Sequence, residues 1–314
     1  MANIKQAILI TGATGKQGGA LIDALLQAGA LSHFVLLAVT RDVSSPSASA
    51  LNGRGLELVQ GDLNNVPAIF SAAEKVLRPS QVELWGVYSV QNPIGKGAST
   101  ALEEAQGKAL VDGALANGVK CFVYSSVDRG GEAVSFENKP NVPHFISKYH
   151  VEHHLVKEAE GRMQWTILRS ATFMDTITPD FIGKIMATSW SSVVKDRPLQ
   201  IVAVRDIGWF AAQSFLHPDT FAGRAISLAG DALTFDQANQ IFKNKVGKDL
   251  PTTLEFLNKG ILWASTELGS MFQWFNETGC GADINRLKQM HPNMMDFGMW
   301  LEESPWMQQS NTSL

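Results

Sequence analysis

Only two cysteines, Cys121 and Cys280, occur in the 314 residues. That is too few for a disulfide framework and fits a reducing compartment. Cys121 sits in an apolar run of strand character and is expected to be an inert core thiol. Positive charge is also short: 26 Lys and Arg face 30 Asp and Glu, a net charge of −4. Nothing in that balance favours a phosphate backbone, so no direct nucleic-acid contact is expected unless a protein partner supplies it. No uninterrupted apolar stretch is long enough to span a bilayer. No basic segment and long apolar segment precede Ala7-Ile8-Leu9-Ile10, so neither a secretory signal nor a membrane role is expected, and a cytoplasmic location is. A Gly-x-Ser-x-Gly elbow and cysteine spacing suited to zinc are both missing.

What remains is ordinary globular material, 45% hydrophobic and 18% charged. The length suggests one large or two intimately joined units. Apolar runs near 6–11, 33–40, 56–59, 84–90 and 120–126 alternate with helix-like segments near 17–29, 65–75, 99–117 and 145–159. That alternation predicts an α/β fold, a doubly wound parallel sheet of Rossmann type. Gly29 and Gly118 look like C-terminal helix caps, and the Ser-rich stretch 44–49 like a loop. The Rossmann domain is expected over 1–160, extended by strands near 164–169 and 200–228. Val202-Ala203-Val204 and Ala225–Leu228 are the late strand candidates, with a helix over Arg205–Leu216 between them. A smaller, discontinuous, mostly helical C-terminal lobe, 170–314, would hold substrate. It carries most of the tryptophan, seven of the eight lying beyond residue 160.

Thr11-Gly12-Ala13-Thr14-Gly15-Lys16-Gln17-Gly18-Gly19 follows the first strand and opens a helix. Gly12 permits the tight turn, Gly15 lets backbone approach a pyrophosphate, and Gly18 lets helix and strand pack closely. The helix N-terminus offers N–H groups and a positive dipole end to phosphates. Thr11, Thr14, Lys16 and Gln17 belong to the same loop. The second strand ends Thr40-Arg41-Asp42: Arg41 suits a 2′-phosphate and Lys16 adds charge, which favours NADP(H). Asp42 could accept from a 2′-hydroxyl, so NAD(H) stays open. Asp62 and Leu63 after the third strand would flank the adenine, unless Asp62 simply caps a helix. Val90-Gln91-Asn92-Pro93 would line the path to the nicotinamide. Thr172, Phe173 and Met174 stand where substrate contacts sit in this fold. Trp274, among the late aromatics and methionines, either lines an apolar pocket of the kind that takes a bulky or aromatic substrate or belongs to the core. His150 and His154 share a helix face at metal-binding spacing, but no third ligand is evident; a polar face and no metal are expected.

These motifs, with Tyr-Ser-Ser-Val at 124–127, Phe-Ile-Ser-Lys at 145–148, Val-Glu at 151–152, Arg-Asp-Ile-Gly at 205–208 and Ser-Leu-Ala-Gly-Asp at 227–231, resemble the NmrA-like family. That family is an atypical branch of the short-chain dehydrogenase/reductase superfamily, and the resemblance spans about residues 5–303. It implies NAD(P) binding and includes both reductases and redox-sensing regulators, the latter compatible with a nuclear location and a protein partner. Superfamily enzymes use a Tyr-x-x-x-Lys pair, the Tyr moving the proton during hydride transfer. Lys148 stands at the Lys position, but His144 occupies that of the Tyr. The usual serine aligns with Val127, or with Ser126 if the register moves by one; Ser125 precedes it. By the resemblance, Lys148 would hold the nicotinamide ribose and take part in proton transfer, as in isoflavone-reductase-like enzymes. His144 is either an alternative acid or a loop residue after Pro143. Two functions follow: an NADPH-dependent reductase of a carbonyl, quinone or activated double bond in an apolar substrate, or a dinucleotide sensor acting through a protein partner.

Overall fold

The computed structural model describes residues 5–92 and 97–307. In chain order come β1 (Gln6–Ile10), α1 (Lys16–Gln27), β2 (Phe34–Thr40), α2 (Pro46–Gly53), β3 (Glu57–Gln60) and α3 (Val66–Leu77). Next are β4 (Glu83–Ser89), α4 (Thr100–Ala116), β5 (Cys121–Val127), α5 (Glu132–Ser135), α6 (Pro143–Ala159) and β6 (Gln164–Ser170). β7 (Thr172–Phe173), α7 (Phe181–Ser189), β8 (Leu199–Val202), α8 (Val204–Leu216), α9 (Pro218–Phe221), β9 (Arg224–Leu228), β10 (Asp231–Leu233) and α10 (Phe235–Val246) follow. The last helices are α11 (Glu255–Ala264), α12 (Thr266–Glu277), α13 (Ile284–Met290) and α14 (Phe297–Glu303). The chain divides into two compact units. The first comprises the chain through Ser126, Ser147–Leu168 and Ile207–Ile226; the second comprises Val127–Ile146, Arg169–Asp206 and the chain from Ser227 on.

The first unit is built on a seven-stranded sheet in the order β3-β2-β1-β4-β5-β6-β9. β1 pairs in parallel with both β2 and β4, β2 with β3, and β4 with β5. Strands covered on both faces read as continuous apolar runs, and Ala7, Ile8, Leu9 and Ile10 are each fully buried. The strand order reverses between β1 and β4, and the carboxyl ends there form the crevice in which doubly wound sheets bind nucleotides. Gly29 and Gly118 both adopt φ +70° just beyond helix ends, as expected of C-terminal caps. Around this sheet Leu9, Leu37, Val59, Phe70, Val87, Phe122 and Leu155 belong to one apolar core.

The second unit is mostly helical. Its own three-stranded sheet runs β10-β8-β7, with β10 antiparallel and β7 parallel to β8. Trp190, Phe242, Phe272, Phe297 and Trp300 share its core.

Two local expectations are corrected. The 44–49 stretch is not all loop, because Ser45 accepts a hydrogen bond from the Ala48 amide and Pro46 opens α2. Proline at a first helical position gives up no needed donor and starts a helix. Likewise the late strand lies at Leu199–Val202, while Val204 opens α8 with its N–H donated to Asp175 Oδ2 at 2.9 Å.

Candidate functional site

The glycine loop is made at the switch point by backbone constraints. Thr11 is fully buried, and its Oγ1 lies 3.0 Å from the Tyr88 carbonyl and accepts from the Val90 amide at 3.0 Å. This stitches the end of β1 to the end of β4. Gly12 has φ +60°, and a Cβ there would lie 2.7 Å from Val90 Cγ1. A Cβ on Gly18 would lie 2.2 Å from the Gly12 carbonyl oxygen, so the loop folds directly onto the first turn of α1. Gly15 caps that helix in extended conformation with no side-chain cap, and the first turn holds no acid. The result is a cradle bare of side chains at a positive helix end, which fits a pyrophosphate. Thr14 and Lys16 are exposed beside it.

Other sequence-predicted residues gather on the same sheet edge. Gln17 sits on α1, and its Oε1 accepts from Ser125 Oγ at 2.6 Å and from the Tyr88 hydroxyl at 3.4 Å. It thus latches the glycine-loop helix to β4 and β5. Arg41 is exposed, and its guanidinium has no hydrogen bond or ion pair among the described residues. Asp42 is already engaged: its Oδ1 accepts from the Ser44 hydroxyl at 2.6 Å and the Ser44 amide at 2.8 Å, which lowers its carboxyl below the ordinary value. Asp62 accepts from the Asn64 amide at 2.8 Å, capping a short turn, with Leu63 half-buried beside it. At the end of β4 Val90 is half-buried, Gln91 buried and Asn92 exposed; Pro93 lies outside the described residues. Gln91 donates to Ser89 Oγ at 3.0 Å, but its buried Oε1 has no hydrogen-bond partner among the described residues. An orphaned buried acceptor at a sheet's carboxyl edge fits a site that a ligand completes.

Two buried carboxylates that local sequence signals did not reveal organise the rest. Lys148 Nζ donates to Glu103 Oε1 at 2.7 Å, and the Ser147 hydroxyl donates to Glu103 Oε2. The Lys148 side chain is 13% exposed and that of Glu103 0%. The Ser126 hydroxyl donates to Glu152, also fully buried. Glu103 looks like an ordinary acid of a helix's first turn. Its signal is helix phase: Gly107, Leu110 and Ala114 follow it on the buried side of α4. On the shared face of α6, His150 pairs with Glu104 at 2.7 Å and His154 with Asp112 at 2.6 Å. No cluster able to hold a metal occurs among the described residues.

In the second unit His144 lies in the first turn of α6, one residue after Pro143, so it is helical and not a loop residue. It is half-buried, its ring edge-on to Phe145 at 4.7 Å. Thr172 and Phe173 form β7 and are half-buried; Thr172 Oγ1 has no hydrogen-bond partner among the described residues. Met174 is fully buried and Trp274 nearly so, the latter edge-on to Phe145 at 5.2 Å, which places both in the unit's apolar core.

Known proteins resemble this chain in sequence and in fold. The NmrA-like family matches residues 4–300, nearly the whole chain. This chain belongs to the NmrA-like family. Among curated members, the NmrA-like family domain-containing oxidoreductase FrzB of a Cladobotryum species is 25% identical over 262 residues, covering 77% of this chain and 74% of FrzB. The NmrA-like fold also appears in solved structures. Triphenylmethane reductase of a Citrobacter species, complexed with NADP(H), superposes with a TM-score of 0.69 at 19% identity, over 95% of this chain and 99% of that one. NmrA, a negative transcriptional regulator solved in complex with NADP, gives 0.69 at 17% identity, over 99% and 98%. NmrA has also been solved in complex with NAD. Among the described residues no helix is long and apolar enough to cross a membrane.

Proposed function

We propose that this NmrA-like protein is an NADPH-dependent reductase of a carbonyl, quinone or activated double bond in an apolar substrate. The observation that carries the dinucleotide is the bare cradle of Gly12, Gly15 and Gly18 at the uncapped start of α1. Its similarity to curated oxidoreductases and to an NADP(H)-bound reductase supports the reductase reading. Bound NADPH would supply the hydride. The α1 amides hold the pyrophosphate, and Arg41 takes the 2′-phosphate, with Lys16 adding charge. Asp62 and Leu63 flank the adenine, and Gln91 offers its orphaned carbonyl along the path to the nicotinamide. Lys148 holds the nicotinamide ribose. In the second unit Thr172 and Phe173 are half-exposed groups for substrate, and His144 on α6 is an imidazole suited to proton delivery.

The second reading, a dinucleotide sensor, rests on a specific observation. The hydroxyls of Ser125 and Ser126 are donated to Gln17 and Glu152, and a histidine stands where the superfamily pattern places its tyrosine. The standard proton-delivering set is therefore altered. The test is NADPH oxidation, followed by absorbance, against quinones, ketones and enones, with wild type beside Lys148→Ala. Turnover that collapses in the variant is the expected result. Tight NADPH binding without turnover of any member of the panel would sink the reductase reading and favour the sensor.

A further inference from the structure

We infer that Glu103 is a positioning residue that aims Lys148 at the bound dinucleotide, an inference that rests on the cofactor reading above. A lysine has a flexible four-carbon stem and loses much rotamer freedom when it must hold one place. Here that place is set before any ligand arrives. Glu103 Oε1 holds the Lys148 ammonium at 2.7 Å, and Oε2 is filled by the hydroxyl of Ser147, the residue before it. Both oxygens of one buried carboxylate are thus spent on two consecutive residues of α6. The two helices approach closely enough for this because Gly107, one turn beyond Glu103, faces Val151; a Cβ on Gly107 would lie 2.7 Å from Val151 Cγ2.

The carboxylate itself is placed to carry its charge. It stands in the first turn of α4, where the helix dipole favours an anion, and Ser99 caps that helix by accepting from the Leu102 amide at 3.1 Å. A buried ion pair adds little to stability over well-packed apolar residues, whereas removing one partner strands the other. Its use here is geometric: a cation held pre-aimed saves the ordering cost at the moment of binding.

The test is a double-mutant cycle on the NADPH dissociation constant, read by fluorescence, with far-ultraviolet circular dichroism as the check on folding. Glu103→Gln is expected to weaken NADPH binding about tenfold in the otherwise native chain and to have no further effect beside Lys148→Ala. Glu103→Asp, which restores the charge, should recover much of the loss. Equal loss in both backgrounds, no loss in the native one, or no recovery by Glu103→Asp overturns the inference. If Glu103→Gln fails to fold, Ser147→Ala replaces it: it should weaken NADPH severalfold only when Lys148 is present, and equal or absent effects in the two backgrounds overturn the inference. A wild type that binds no dinucleotide sinks the cofactor reading and this one with it. Binding by the wild type with an additive cycle sinks this one alone.

Discussion

At the scale of single residues, the proposed cofactor preference rests on two neighbours with opposite leanings. Arg41 and Asp42 stand side by side after β2, one suited to a phosphate and the other to a hydroxyl. The acid is already bonded to Ser44 through both the hydroxyl and the amide, whereas the guanidinium is exposed and uncommitted among the described residues. A 2′-phosphate would therefore meet an available fork of donors. Arg41→Ala should raise the NADPH dissociation constant at least about tenfold, the size of one lost charge-assisted hydrogen bond. NADH binding should stay within about twofold, since it lacks the phosphate that the guanidinium would bind. Titration of both dinucleotides against the variant checks this, and parallel losses for the two would remove Arg41 from the phosphate site.

At the scale of elements, the loop after β5 depends on one carboxylate. Asp128 is fully buried and accepts from the Ser135 hydroxyl at 3.1 Å, the Gly131 amide at 3.0 Å, the Gly281 amide at 2.7 Å and the Ser227 hydroxyl. Three separated stretches of the second unit meet on it. Asp128→Asn turns an all-acceptor group into one with two donors facing N–H and O–H donors, so it should cost about 2–4 kcal/mol. Denaturant unfolding of the variant measures that loss; a stability within about 0.5 kcal/mol of wild type would mean that the clamp contributes nothing. The sequence hides this clamp, because Val127-Asp128-Arg129 looks like any polar turn. Glu103 was hidden for the same reason, as was the burial of Glu152: burial of an acid is written in helix phase and long-range partners, not in local pattern. The strands of the main sheet, by contrast, were legible from their apolar runs, and the glycine loop from its place after β1. α2 was not, since Pro46 suggests a break unless Ser45 is seen as its cap. α10 carries a capping box, Thr234 with Gln237, yet buries only Ala238 and Phe242, too few apolar positions to announce a helix.

At the scale of the whole molecule, the chain passes between its two units after Ser126, Ile146, Leu168, Asp206 and Ile226. β5, α6, β6, α8 and β9 each contain one of these crossings. Units built from interleaved segments that share three continuous strands and two helices have no independent chain to fall back on, so the protein should unfold in one cooperative step. Each unit holds one thiol to report it. Burial pushes Cys121 up to about 12, while Cys280, half-buried, is raised well above the ordinary 9.0 by desolvation and by the charge of Asp128. Both are then neutral thiols at neutral pH and should not react quickly with a disulfide reagent in the native state. Because folding raises both values, their contribution to stability is fully present below the ordinary thiol value and is lost as pH rises above about 9. Stability measured up the alkaline limb should fall accordingly. Near neutrality, reagent added across a denaturant series should label Cys121 and Cys280 with one shared midpoint. Labelling of Cys280 at clearly lower denaturant than Cys121 would mean that the second unit opens alone, and the interleaving of the chain would not enforce a single transition.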